Sequence, residues 1–347
     1  VKVAALDIGG AHIKACAADG RSFTRPFELW REPAGLAAEL RDSLARLGPC
    51  ERLAVTLTGE ICDCYASKRE GVASILHAVE RALAGAPPGI LPGREAVRVW
   101  RNDGRFATLA EAEADPLPAA GANWLPLASF AGAFAERGAA LLIDVGSTTT
   151  DIVPLLDGKP RPEGRTDTER LLAGELLYRG ASRTPVAAVV RALPYRGASC
   201  PVASELFATV RDAYLVLGLL EEDALDTRTA DQRPATRAHA VVRLARMVGA
   251  DAETFGEDDA RAASSRVFSE EREAIRTALR RVAARVAARA GAPLSTIVLS
   301  GSGEFLGRAA AEGSGARLVS LRAEIGPEGS AAATACALRH VALAMIE

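Results

Sequence analysis

The chain has 347 residues, of which 49% are hydrophobic and 25% charged, with a formal net charge of −2. That length allows two medium lobes, and the apolar share supplies ample core. The near-zero charge leaves no electrostatic footprint for nucleic acid or for an anionic membrane, so small-molecule substrates are the expected partners.

In chain order, residues 1–27 read as a strand, a turn at Asp7-Ile8-Gly9-Gly10, a second strand and, after the Asp19-Gly20 turn signal, a third strand near Phe23. A helix is expected over 33–47: Leu36, Leu40, Leu44 and Leu47 share a face, Pro33 sits near its start and Gly48-Pro49 stops it. Residues 53–58 form a buried strand ending at Gly59-Glu60, and ligands of α/β sheets sit just past such carboxyl ends. The segment 60–72 packs Glu60, Asp63, Tyr65, Lys68 and Arg69 ahead of a helix that ends before Gly85. Lysine is scarce, with only Lys2, Lys14, Lys68 and Lys159, which draws attention to Lys14 and Lys68. Pro87 to Gly93 is a loop, 97–100 a short strand, and Asn123-Trp124-Leu125-Pro126 opens a helix to about Glu136.

The second half repeats the opening plan. In 141–153 an apolar run ends in Asp144; Gly146 and the hydroxyl residues Ser147, Thr148, Thr149 and Thr150 follow, then Asp151 and a second apolar run. Gly146 permits a bend that brings N–H groups close to an anion, and aspartates with phosphate oxygens suit Mg²⁺. A polar hairpin without a ligand is the plain alternative. Asp157-Gly158 turns the hairpin, 160–168 is a loop, 171–180 has helical periodicity, and Pro194-Tyr195-Arg196-Gly197 is a turn. A helix is expected over 205–217, a polar surface loop suited to a lid over 223–238, and helices over 236–249 and 269–290. Residues 297–307 give a strand, the turn Ser300-Gly301-Ser302-Gly303 and a helix; 330–346 is a last alanine-rich helix. The six cysteines form no CxxC pair and read as buried reduced thiols. With no leader or spanning segment legible from Val1 onward, a cytoplasmic location is expected.

Two Asp-bearing hairpins and a late glycine turn resemble the actin, sugar kinase and Hsp70 superfamily. The resemblance implies an α/β, two-lobed actin-like ATPase (ribonuclease H-like) fold with duplicated mixed-sheet lobes, one over 1–137 plus 330–347 and one over 138–329. More narrowly, Asp7 to Lys14, Thr58-Gly59-Glu60 with Asp63 and Lys68, Asp144 to Asp151, Gly174-Glu175-Leu176 with Tyr178 and Thr184-Pro185, and Ser300 to Gly303 resemble one group. It is the hydantoinase/oxoprolinase-like family of the tetrahydromethanopterin-linked one-carbon pathway. Its archaeal members condense an aminomethylfuran-methyl diphosphate with a tyramine phenol in methanofuran biosynthesis. His12 stands where that family's first hairpin is expected to carry asparagine.

The resemblance implies a transferase that forms an aryl ether and releases pyrophosphate. Asp7 and Asp144, with Asp151, would organise Mg²⁺ and its water shell. Gly9, Gly10, His12, Lys14, Gly146, Ser147, Thr148 and Thr149 would meet phosphate oxygens, with Gly301, Ser302 and Gly303 as a further phosphate- or adenosine-side turn. Glu60 or Asp63 would be the general base, while Lys68, Tyr178 and Tyr195 would contact the acceptor. The plain alternatives are a solvated edge for Lys14, a polar turn for His12, a solvated helix start for Lys68 and core packing for each tyrosine. The competing functional readings are an ATP-dependent small-molecule kinase or hydantoinase/oxoprolinase-type hydrolase, with ATP as cofactor, and a non-catalytic nucleotide sensor. A homodimer is left open.

Overall fold

A computed structural model describes residues 1–86, 89–90 and 93–346; Pro87, Pro88, Leu91 and Pro92 of the expected Pro87 to Gly93 loop lie outside the described residues, as does Glu347. The strands are β1 Val3–Ile8, β2 His12–Cys16, β3 Ser22–Pro26, β4 Arg52–Leu57, β5 Val97–Trp100, β6 Phe106–Thr108, β7 Ala139–Val145, β8 Thr150–Leu156, β9 Lys159–Pro160, β10 Leu176–Leu177, β11 Ala192–Tyr195, β12 Ala198–Pro201, β13 Leu294–Ser300 and β14 Arg317–Ser320.

Two large mixed sheets share one plan. The first runs β3-β2-β1-β4-β5-β6 and the second β10-β8-β7-β13-β14, with β9 paired to β8. In each, an Asp-bearing strand pairs antiparallel with its hairpin partner (β1 with β2, β7 with β8) and parallel with the next strand inward (β4, β13). The duplication is that of the actin-like ATPase, ribonuclease H-like fold. β1 is buried along its whole length, as the unbroken apolar run Val3 to Leu6 requires of a strand covered on both faces. Helices Leu36–Leu47 and Lys68–Ala84 cover one face of the first sheet, and the long helix Glu257–Ala290 covers the second.

Two small-residue helices lie between the sheets and pack on each other. Trp124–Ala131 sets Trp124 and Leu127 against Val153 and Val298 of the second sheet, while Ala333–Met345 sets Leu338 and Ala342 against Val3, Ala5 and Ala54 of the first. Trp124–Ala131 stops short of the expected Glu136. Gly132 there meets the β8–β9 turn so closely that a Cβ would lie 1.8 Å from the Gly158 carbonyl oxygen.

Other boundaries moved for local reasons. The segment expected to be helical over 171–180 is a helix over Asp167–Ala173, fixed by a Thr166/Glu169 capping box and ended by left-handed Gly174; Leu176 then joins the sheet opposite Asp151. The helix expected over 205–217 is only Val210–Val216, started by Thr209 with Asp212, and Leu206 is half exposed. The helix expected from 269 begins at Glu257, where Glu257, Asp258 and Asp259 favour an N-terminus. Strand β6 and helix Leu109–Ala114 had no expectation from periodicity.

Candidate active site

The turns after β1 and β7 face one another across a cleft of about 390 Å³, a size usual for small-molecule sites. From the first sheet come Asp7, Gly9, Gly10, His12 and Lys14; from the second, Asp144, Gly146, Ser147, Thr148, Thr149 and Asp151; from the loop after β4, Glu60 and Asp63. The two turns are built alike: the Gly9 N–H donates to the His12 carbonyl at 3.0 Å, and the Gly146 N–H to the Thr149 carbonyl at 2.9 Å.

Asp7 is 2% exposed, and both inter-sheet helices hold it. Its Oδ2 accepts from Thr334 Oγ1 and, at 3.3 Å, from Asn123 Nδ2, with Lys14 Nζ 3.8 Å away. Its Oδ1 is buried without a partner. Asp144 stands across the cleft, and burial, then the neighbouring charges of Asp151 and Asp7, push its carboxyl up to about 6 against the pull of Lys14 and Ser300. An orphaned carboxylate oxygen in the same cleft as a second, electrostatically coupled carboxylate is a donor set that suits one divalent cation completed by phosphate oxygens and water. Among the described residues no group of three His, Cys, Asp or Glu forms a self-sufficient metal site.

Glu60 is 1% exposed and its Oε2 has no hydrogen-bond partner among the described residues. Burial first, and Asp167 after it, push its carboxyl up to about 7, while Lys68 opposes the shift. Asp63 lines the same wall but is exposed. Asp151 is already engaged: Arg170 donates to it at 2.8 Å, and that buried guanidinium lies 4.1 Å over the Trp124 ring. The Asp151 carboxylate is thus paired with a buried arginine rather than standing free in the cleft.

Lys68 reaches across the molecule to Asp167 at 2.9 Å, tying the helix after Glu60 to the second half. It does not itself line the cleft, whereas Asp167 does. Tyr178 lines the cleft, and burial followed by the nearby carboxylates Asp167 and Glu60 raises its phenol to about 12. Tyr195 lies elsewhere, on the β11–β12 hairpin. Its ring stacks on Phe255 at 5.9 Å and its hydroxyl donates to the Thr254 carbonyl, so it does not join Tyr178. Gly301, Ser302 and Gly303 also stay out of the cleft lining. Gly301, at φ +90°, backs onto Val145 and Asp144, and the Gly303 N–H donates to the Val145 carbonyl at 2.8 Å; the turn braces the Asp144 strand from behind. All six cysteines are free thiols.

His12 is held neutral. Burial, then the cations Lys14, Arg228 and Arg183, push its imidazole down to about 4, with Asp226 opposing. Arg228 belongs to the polar loop after residue 222. Asp226 braces that loop by accepting from Arg211 and Arg228, as does Asp231 by accepting from Arg243 and Arg246. Among the residues that escaped the sequence reading as site candidates, Trp30, Arg183, Asn123, Asp167 and Arg170 line the cleft, and Thr334 supports it from outside the lining. Trp30 and Arg183 meet at the cleft, the guanidinium 4.3 Å over the indole. Asn123 and Thr334 orient Asp7, and a lone threonine inside an alanine-rich helix was the signal available for the second. Among the described residues no helix is long and apolar enough to cross a membrane.

Residues 51–344 match the hydantoinase/oxoprolinase family. A protein of Methanocaldococcus jannaschii is 31% identical over 280 residues, 80% of this chain and 80% of its own, and is named (4-{4-[2-(gamma-L-glutamylamino)ethyl]phenoxymethyl}furan-2-yl)methanamine synthase. A Methanococcus vannielii protein of the same name is 36% identical over 119 residues, 34% of this chain and 53% of its own. Among solved structures, an archaeal actin homologue in complex with ADP superposes with a TM-score of 0.49 at 15% identity, covering 99% of this chain and all of its own.

Proposed function

This chain belongs to the hydantoinase/oxoprolinase family, and from that premise we propose that it is a transferase of methanofuran-type cofactor biosynthesis. It joins an aminomethylfuran-methyl diphosphate to the phenol of a glutamyltyramine or related tyramine and releases pyrophosphate. Likeness to the M. jannaschii synthase along four-fifths of both chains supports the reaction class. The single observation that carries the mechanism is Glu60: a buried carboxyl with a free oxygen, raised to about 7, in the wall of a cleft flanked by two Asp-Gly turns.

The chemistry follows from those residues. The acceptor phenol has a solution pKa near 10, so its proton must leave as the new bond forms. Glu60 takes that proton. The phenol oxygen bonds to the furan methylene carbon, whose bond to the diphosphate oxygen breaks, and the electron pair leaves with pyrophosphate. Developing charge on the diphosphate meets Lys14, the neutral His12 ring and the N–H and hydroxyl donors of Gly146 to Thr149. Asp7 and Asp144 are the residues that would hold Mg²⁺, whose bound charge would make diphosphate a better leaving group.

The test is direct. Purified protein with Mg²⁺, the furan diphosphate and glutamyltyramine should release pyrophosphate and yield the ether mass, in equal amounts, without nucleotide. Release of ADP from ATP as a condition of turnover, with no ether formed, would instead establish the ATP-dependent kinase or hydrolase reading.

A further inference from the structure

The stacked pair Trp30 and Arg183 uses neither charge nor donors on any protein acid. Arg183 has no ion-pair or side-chain hydrogen-bond partner among the described residues beyond its place over the Trp30 ring. Its backbone is fixed: the Arg183 and Ser182 N–H groups donate to the Ser147 carbonyl at 2.9 and 3.1 Å, so the residue is strapped to the second Asp-Gly turn. Its partner Trp30 follows β3 on the opposite side of the cleft, behind Leu29, whose N–H donates to the Gly10 carbonyl at 2.9 Å. Each half of the pair is therefore anchored to one of the two facing turns.

A guanidinium stacked through its face keeps its in-plane N–H fork free, and that fork matches two oxygens of a phosphate. At an exposed site such a stack is weak, so it can hold the fork in place without competing with an anion. His12 lies within electrostatic reach of Lys14, Arg228 and Arg183, with Asp226 as the one opposing charge named beside them, so cations outnumber acids around it. Glu60, Asp167 and Tyr178, also in the lining, form a second group within electrostatic reach of one another.

We propose that Arg183, steadied on Trp30, is a bidentate contact for the terminal phosphate of the departing diphosphate and fixes which end of the cleft that group occupies. The proposal rests on the transferase reading and deepens it: the diphosphate lies toward Trp30, the phenol toward Glu60 and Tyr178.

The experiment is calorimetric titration of the full chain with inorganic pyrophosphate in Mg²⁺. Wild type, Arg183→Gln, Arg183→Lys and Trp30→Leu are compared, with circular dichroism to establish that each is folded. Arg183→Gln is expected to weaken binding by about 10–100-fold, the range of a lost charge-assisted hydrogen bond. Arg183→Lys restores charge but no fork, and is expected to stay at least about fivefold weaker than wild type. Trp30→Leu, which keeps the fork and loses its rest, is expected to fall between wild type and Arg183→Gln. In wild type, pyrophosphate should also shift tryptophan emission, and Trp30→Leu should abolish that shift. If wild type binds pyrophosphate and Arg183→Gln binds it within about twofold, the contact is overturned and the transferase reading stands. If wild type binds no pyrophosphate, both fall.

Discussion

Single side chains decide the chemistry here through their unmet needs. Glu60 needs a proton donor, and Glu60→Gln should lower kcat by about 10²–10⁴-fold in an ether-forming assay, with the KM for the diphosphate little changed. Because burial raises this carboxyl to about 7, wild-type kcat should climb with pH and level off above that value. The same shift has a cost for the fold. Glu60 binds its proton more tightly folded than unfolded, so its contribution favours the folded state at low pH. That contribution is lost as pH rises from the ordinary carboxylate range through about 7. Glu60→Gln should flatten that part of a melting-temperature profile and raise Tm above about pH 7; an unchanged profile would show that the buried carboxyl is not the titrating group. Asp144→Asn keeps the shape of the Asp144 side chain and removes its charge, and should reduce condensation by about 10²-fold or more with loss of Mg²⁺ dependence. Turnover at the wild-type rate would remove Asp144 from the metal assignment.

The elements that hold these side chains show what was readable and why. Both Asp-Gly turns were legible, because an apolar run must end somewhere and a glycine after an aspartate marks where. Asp7 and Asp144 do line one cleft. The Gly301 turn was legible as an element but its packing was not, because a glycine needed for close packing looks in sequence like one needed for a phosphate. Its left-handed φ and a virtual Cβ only 2.2 Å from the Val145 carbonyl assign it to bracing. Gly301→Ala should therefore displace the Asp144 strand, with weaker Mg²⁺ binding and lower Tm, while Ser302→Ala, outside the cleft lining, should leave both near wild type. The misplaced Tyr195 has a similar cause. Its Pro-Tyr-Arg-Gly turn was read correctly, but nothing local tells which cleft, if any, a hairpin tip will face. Trp30 and Arg183 were illegible because they meet only through tertiary packing, each in a stretch without periodicity.

At the scale of the whole molecule, two halves must meet to make one site: the apolar packing of the two inter-sheet helices joins them, and polar bonds add to it. Lys68 to Asp167 is one, at 2.9 Å and partly exposed, so it contributes modestly to stability and is screened by salt. Lys68→Met should raise the substrate KM by about 3–10-fold with kcat within about twofold, and the difference from wild type should shrink in high salt. A large fall in kcat at saturating substrate would return Lys68 to the reaction itself.

The hydroxyl that aims Asp7 belongs to Thr334, 327 positions later, on a helix that follows both sheets in the sequence. Orientation of Asp7 is thus tied to the docking of the helix Ala333–Met345 between the two sheets, and any change that undocks this helix would free the Asp7 carboxylate without touching the first sheet.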